Sequence, residues 1–290
     1  MKSYFDITGD GGSDVLGQVA RQRARIKENL SGVRHMVAIA SGKGGVGKST
    51  LTMQIALALR AGGSRITILD ADLNGPSQAR LGGLSHAPLV PGPAGLSVPA
   101  SRAGIGILSM GTMIPESQSL EFDSVAEGDS HIWRSTREFA ALADLLATVA
   151  WGDLDFLLID LPPGAERTFQ YAEFFGEGTA FVLVTLPSAL ARGVVSRSVS
   201  ALRRAPNRIL GYIENMSGYL CPGCGQVKPL FPTADDIDLG LTHLGSVPFD
   251  PQLAALSDAG EPMPADSPSE ALAATRSIAS RLIQELEKTS

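Results

Sequence analysis

The stretch Ser41-Gly42-Lys43-Gly44-Gly45-Val46-Gly47-Lys48-Ser49-Thr50 decides the fold of this chain. From Gly42 to Ser49 it fits the spacing G-x-x-x-x-G-K-[ST]. Its flanks supply the context such a loop needs. Met36 to Ala40 before it are apolar throughout and read as a buried strand. Lys48 to Ala61 after it place Leu51, Ile55, Ala58 and Leu59 on one helical face and stop at Gly62-Gly63, a C-terminal signal. The spacing has a mechanical cause. Glycines let successive backbone N–H groups curve around phosphate oxygens, Lys48 reaches the terminal phosphates, the Ser49 hydroxyl ligates Mg2+, and the helix N-terminus adds the positive end of its dipole. Gly44, Gly45, Val46, Gly47, Lys48, Ser49 and Thr50 are the expected nucleotide contacts.

Outward from this loop the same strand signal recurs at Ile66 to Asp70, Phe156 to Asp160, Phe181 to Thr185, Ile209 to Glu214 and Leu244 to Val247. These runs are apolar on both faces, as strands of a parallel sheet are when helices cover both sides. Strand alternating with helix predicts an α/β fold with a doubly wound, mostly parallel sheet, whose ligands bind at the carboxyl ends of the strands. The last helix is predicted over Pro268 to Glu287, with a capping box of Ser267 and Glu270. Ser85 to Ser101 reads as a surface excursion, Ala103 to Met110 as an extra strand and Gly111 to Ser130 as a long loop. The predicted organisation is an N-terminal extension, 1–33, before a single domain, 34–290. Residues 14 to 30 of the extension form an amphipathic helix with Arg21, Arg23, Arg25 and Lys27 on it. A packed helix, a dimer contact and a membrane-surface helix all fit that pattern.

The 290 residues carry 44% apolar and 19% charged side chains, the balance of a globular protein, and a net charge of -6. An acidic balance argues against coating nucleic acid, which needs a basic excess. No apolar run is long enough to span a bilayer, and Asp6 and Asp10 sit where a signal peptide needs an apolar core. A cytoplasmic protein without stable membrane insertion is expected.

Acidic side chains close two of the strands. Asp70-Ala71-Asp72 ends the second, and alternation along an extended segment lets both carboxylates face the strand-end crevice. Asp160-Leu161-Pro162-Pro163-Gly164 ends the strand from Phe156, a carboxylate after an apolar run that is placed to hold Mg2+, with Gly164 free to follow a terminal phosphate. Asn215, in Glu214-Asn215-Met216-Ser217, is an amide at a strand end that could equally cap a turn.

Cys221 and Cys224 are the two cysteines of the chain. One local dithiol is no disulfide framework. It is half of a tetrahedral zinc site or half of a [4Fe-4S] site, and two copies about a two-fold axis would complete either one; a redox dithiol is the other option. His35, His86, His131 and His243 lack metal-ligand spacing.

Lysine is scarce, with six against eighteen arginines, yet both Lys43 and Lys48 lie in the loop. A lysine just after the first glycine is the deviant Walker A signature, and the sequence resembles the MinD, ParA and nitrogenase-iron-protein class of dimeric P-loop ATPases. That resemblance implies that Lys43 acts across the dimer on the partner's nucleotide. It also implies that Asp72 orients the attacking water, that Asp70 belongs to the Mg2+ shell with Ser49 and Asp160, and that Asn215 reads the adenine. In chain order, Ser41 to Thr50, Trp151-Gly152-Asp153-Leu154-Asp155, Asp160 to Gly164, Glu214 to Ser217, the cysteine pair, and Gly245-Ser246-Val247-Pro248-Phe249-Asp250-Pro251 together resemble the Mrp/ApbC family of iron-sulfur cluster carrier ATPases. The resemblance runs from about Arg34 to Pro262. It implies a homodimer that binds and slowly hydrolyses ATP, holds a labile [4Fe-4S] cluster between Cys221 and Cys224 of both chains, and passes it to apo-proteins. A positioning ATPase of the MinD type would share the nucleotide residues without needing the cysteines, and a zinc-bridged regulatory dimer would keep the cysteines without transfer. The chain departs from the family pattern at Ala165-Glu166-Arg167, at Arg192-Gly193 and at Ser135-Thr136.

Overall fold

A computed structural model describes residues 15–113, 130–221, 223–224, 226–231 and 239–288. In chain order the elements are α1 (Val15–Asn29), β1 (Val33–Ser41), α2 (Lys48–Ala61), β2 (Ile66–Asp70), α3 (Gln78–Leu81), β3 (Val90–Gly92), β4 (Gly95–Ser97), β5 (Gly106–Leu108), α4 (Met110–Met113) and α5 (Ser130–Thr148). They continue as β6 (Leu154–Asp160), α6 (Ala165–Phe175), β7 (Thr179–Thr185), α7 (Ala189–Leu202), β8 (Ile209–Leu220), β9 (Val227–Lys228), β10 (His243–Phe249), α8 (Pro251–Asp258) and α9 (Glu270–Glu287).

The main sheet has the order β10-β8-β7-β1-β6-β2-β5, with β9 antiparallel on β8. Along that path every pairing is parallel. Its core strands show the two-sided burial expected of a covered parallel sheet: β2 and β7 are buried at every residue. Two apolar layers result. Ile39, Ile55, Ile68, Leu158, Val182 and Ile278 pack between the sheet and α2 and α9. Leu69, Leu142, Leu157, Tyr171, Phe181 and Val195 pack between the other face and α5, α6 and α7. Each buried Leu, Ile or Phe contributes about 1.5–3 kcal/mol relative to exposure.

This topology sets the site. The chain leaves β1 toward β2 on one side, while β7, β8 and β10 are laid down on the other. The loop after β1 therefore sits where the winding reverses, the crevice in which open α/β sheets bind ligands. Register then places Asp70 directly beside Asp160.

Several boundaries differ from those the sequence predicts. The last helix starts at Glu270, and its cap is Ser269, whose hydroxyl accepts from Leu272 N at 3.2 Å; Ser267 does not cap it. Ser269 wins because Asp250, itself the cap of α8, accepts its hydroxyl proton at 2.6 Å and fixes it in place. The strand predicted over Ala103 to Met110 shrinks to β5, and the excursion from Ser85 to Ser101 contains the β3–β4 hairpin. The predicted loop begins with the short α4, and its residues 114–129 lie outside the described residues. β8 runs six residues past Glu214, because β9 folds back on it.

Helix α1 is docked. Its Asn29 amide donates to the carbonyls of Leu146 and Val149, Gln22 donates to Asp144 at 2.8 Å, and Ile26 packs into the α5 side of the core. Among the described residues no helix is long and apolar enough to cross a membrane.

Candidate nucleotide and thiol site

The loop between β1 and α2 opens with Ser41 Oγ donating to the Lys43 carbonyl at 3.0 Å. It closes at Gly47, the N-cap of α2, with φ 77° and no side-chain cap. The first-turn N–H groups of α2 therefore remain available to an anion. Gly47 is required for two reasons: the left-handed backbone, and the Asn215 amide nitrogen, which would lie 2.3 Å from any Cβ there. Gly45 shares the left-handed φ of 76° but faces open space. Ser49 and Thr50 are half-buried, as is Lys43, whereas Gly44 is exposed and Val46 is buried.

Lys48 is buried, and its ammonium pairs with the fully buried Asp160 carboxylate and lies 3.3 Å from Ser49 Oγ. Asp160 also accepts from Gln78 Nε2 at 2.9 Å and Thr52 Oγ1 at 3.3 Å. Gln78 holds Ser49 from the other side, donating to its carbonyl at 3.0 Å. Gln78 was not among the predicted site residues. The sequence signal was its place directly after the acidic segment and Ser77, at the start of a short helix that aims it back at the loop.

Asp70, expected in the Mg2+ shell, has a carboxylate that already accepts several hydrogen bonds. It accepts from Ser77 N and Gln78 N at 2.9 Å, from Ser109 Oγ at 2.9 Å and from Asp72 N at 3.3 Å. It thus builds the turn that carries Asp72 and Gln78. Burial, and then the charge of neighbouring Asp160, push its pKa up to about 7. Asp72 is only half-buried; desolvation raises its pKa, while its Oδ1 accepts from Gly75 N at 3.1 Å. Charges on Lys48, Asp160 and Glu138 are all felt at Asp72.

Asn215 lies beside the loop, and its amide donates to the Val46 carbonyl at 2.8 Å. It borders a cleft of about 180 Å3 lined by Thr50, Gln54, Met216, Pro248 and Phe249 among others. Met216 has φ 53°, unusual for a side chain of its size, where the β8–β10 register shifts.

The cysteines sit at the tip of the β8–β9 hairpin. Tyr219 pairs with Lys228, Leu220 with Val227, and Cys221 N donates to Gln226 O at 3.0 Å. Neither thiol is in a disulfide; Cys221 is half-buried and Cys224 exposed. Cys221 sulfur accepts from the backbone N–H of Cys224 and of Gly223 and from the Cys224 thiol, which lowers its pKa below the usual thiol range. N–H groups directed at sulfur favour the thiolate, the form that ligates metals. Val227, paired with Leu220, and Leu230 are exposed apolar side chains, and Tyr219 stacks on Phe249 of the cleft at 6.3 Å between ring centres. Among the described residues no group of three or more His, Cys, Asp or Glu side chains could hold a metal ion.

Two of the departures from the family pattern have partners. Arg192 forms a salt bridge at 2.8 Å with Glu214, the neighbour of Asn215, and Arg167 pairs with the buried Glu138. The side chains of Ser135 and Thr136 lie outside the described residues.

A family model described as the NUBPL iron-transfer P-loop NTPase, of the ParA group, matches residues 32–283. The chain belongs to this family. Both the P-loop fold and the resemblance read from the sequence are borne out. Among relatives of this NTPase, the iron-sulfur cluster carrier protein of Methanocaldococcus jannaschii is 34% identical over 86% of this chain and 84% of its own length. The cytosolic Fe-S cluster assembly factor NUBP2 of Gallus gallus is 36% identical over 81% and 86%. A nucleotide-binding protein from Archaeoglobus fulgidus, solved in complex with ADP, is 31% identical with a TM-score of 0.68, covering 82% of this chain and 90% of that one. The Pyrococcus furiosus cell division ATPase MinD shares the fold at a TM-score of 0.60 and 20% identity, covering 89% of this chain and all of that one.

Proposed function

We propose that this chain is an ATP-binding and ATP-hydrolysing iron-sulfur cluster carrier. It works in the cytoplasm as a homodimer, holds a labile [4Fe-4S] cluster between Cys221 and Cys224 of both copies, and passes it to apo-proteins. The observation that carries this reading is the dithiol at an exposed hairpin tip, with a low thiol pKa at Cys221 and no third metal-binding side chain grouped with it among the described residues. Two thiolates are half of a four-ligand site, so a second copy completes it. The relatives named as iron-sulfur carriers and assembly factors support the cargo, and the ADP complex of the Archaeoglobus fulgidus protein supports the nucleotide.

In this reading residues 34–290 form the ATPase domain and 1–33 an extension whose helix braces α5. The loop N–H groups from Gly44 to Thr50 hold phosphate oxygens, and Lys48 exchanges Asp160 for the terminal phosphates. The residues suit Mg2+: the Ser49 hydroxyl and the Asp160 carboxylate are hard oxygen donors. Gln78 Oε1 beside them is buried without a hydrogen-bond partner among the described residues, an acceptor for a metal-bound water. Mg2+ there would neutralise charge on the phosphates. Asp70 acts by shaping the turn, and Asp72 orients the attacking water. Lys43 reaches the partner's nucleotide and stabilises charge that develops in the transition state. Adenine lies in the cleft beside Asn215, where the buried, unpartnered Gln54 Oε1 can accept from an exocyclic amine.

Anaerobic reconstitution with iron and sulfide tests the cargo. Wild type should gain visible absorbance equal to about one cluster per two chains, and Cys221→Ala should gain none. Wild type that takes zinc and no cluster refutes the carrier. Lys43→Ala should keep ATP affinity and lose turnover; unchanged turnover removes the trans lysine.

A further inference from the structure

Three side chains converge on one peptide beside the phosphate loop. Tyr171 on α6 is fully buried, and its hydroxyl lies 2.8 Å from the Ala71 carbonyl and 2.7 Å from Glu138 Oε1. Glu138, on α5, is itself buried and takes the guanidinium of Arg167, one turn before Tyr171 on the same face of α6. The Ala71 carbonyl and the Asp72 N–H belong to one planar peptide unit. Its N–H is held by Asp70 Oδ1 at 3.3 Å and its C=O by Tyr171. That plane aims the Asp72 side chain.

A phenol has one proton to give, and both neighbours are acceptors. Burial, followed by the Glu138 charge, keeps the phenol well above its ordinary pKa, so it remains a donor. With Arg167 satisfying the carboxylate through a charge-assisted bond, the proton can go to the Ala71 carbonyl. Without Arg167, the unpaired carboxylate draws it away. The guanidinium is held from a second direction, 5.3 Å over the Tyr171 ring and 5.8 Å over Phe139.

We propose that Arg167, Glu138 and Tyr171 are positioning residues for ATP hydrolysis, fixing the peptide that orients Asp72 and tying it through α6 to the Gly164 segment. The inference rests on the reading of Asp72 as the residue that orients water. Gly164 immediately precedes α6, and its N–H donates to Ser41 O at 2.8 Å, at the mouth of the phosphate loop. A shift of Gly164 toward a terminal phosphate therefore carries α6, Tyr171 and the Ala71 peptide with it. Arg167, which departs from the family pattern, has its purpose here.

The test uses the full chain with Mg-ATP and measures kcat, KM, ADP affinity and thermal midpoint. Tyr171→Phe keeps the ring and loses the bond; its kcat should fall about tenfold to a hundredfold, the cost of a displaced reacting group, with KM and ADP affinity unchanged. Arg167→Met should lower kcat likewise, and adding Glu138→Gln to it should restore most of the loss, because no carboxylate then competes for the phenol proton. If Arg167→Met fails to fold, Tyr171→Phe still decides. Normal turnover in Tyr171→Phe, or a double variant no faster than Arg167→Met, overturns the proposal while Asp72→Asn remains inactive. An Asp72→Asn variant that hydrolyses normally, or wild type without ATPase activity, overturns the underlying reading and this one with it.

Discussion

Replacing Lys48 should destabilise the nucleotide-free protein, apart from any effect on catalysis. Asp160 is fully buried and Lys48 nearly so, and Asp70 lies beside Asp160 in register. Lys48→Met leaves two adjacent buried carboxylates without that cation. Removing one partner of a buried pair costs about 3–5 kcal/mol, and at about 2–4 °C per kcal/mol for a domain of this size the thermal midpoint should fall by roughly 6–20 °C at pH 8. The loss must depend on pH, and its sign is fixed. Asp70 has a folded pKa of about 7, above its ordinary value of 3.8, so the folded state binds the extra proton between those values. Stability from that group is complete below the unfolded pKa and is lost as pH rises through the folded pKa. The Lys48 charge lowers the Asp70 pKa, so without it Asp70 holds its proton to higher pH still. The deficit of the variant should therefore be largest at pH 8 and shrink toward pH 6. Urea unfolding followed by circular dichroism at both pH values measures it. Lys48→Met with Asp160→Asn, which removes both charges, should recover most of the loss. A single variant within about 1 kcal/mol of wild type at pH 8, or a deficit that grows as pH falls, refutes the reasoning.

Two glycines of the loop should respond differently to alanine. Gly45→Ala carries only the cost of a left-handed residue, about 1–2 kcal/mol, and should retain ADP binding by calorimetry. Gly47→Ala adds a Cβ 2.3 Å from the Asn215 amide and should lose it; equal affinities would show that the Asn215 contact does not constrain the loop. In the apoprotein, Cys221 should alkylate with iodoacetamide at a pH below that needed for an ordinary thiol, since its lowered pKa populates the thiolate there. Peptide mapping across pH 6 to 9 reads the two sites separately, and identical profiles for Cys221 and Cys224 would contradict the hairpin geometry.

Legibility in the sequence followed the range of the interactions. Strands such as Ile66–Asp70 and the helix Lys48–Ala61 could be read to the residue, because two-sided burial and a helical stripe leave local patterns. The start of α9 could not, since Ser267 and Ser269 are equivalent caps until Asp250, nineteen residues away from Ser269, selects one. Gln78 had a local signal in its place after Ser77. Glu138 had none: an acid on a helix otherwise reads as solvated, and its burial follows only when α6 brings Arg167 and Tyr171 against α5.

By itself the sequence determined the phosphate loop, because its function is written in ten consecutive residues whose backbone freedom and helix N-terminus need no distant partner. It determined also that Cys221 and Cys224 form one local dithiol rather than a disulfide framework, because the cysteines of the chain can be counted. Only the tertiary structure decided what surrounds them. Strand order in a parallel sheet depends on how crossover helices pack, which no local periodicity encodes. That order places Asp70 against Asp160, swings Asn215 onto the Val46 carbonyl 169 residues earlier, and hangs the thiol hairpin from the strand that borders the cleft beside Asn215.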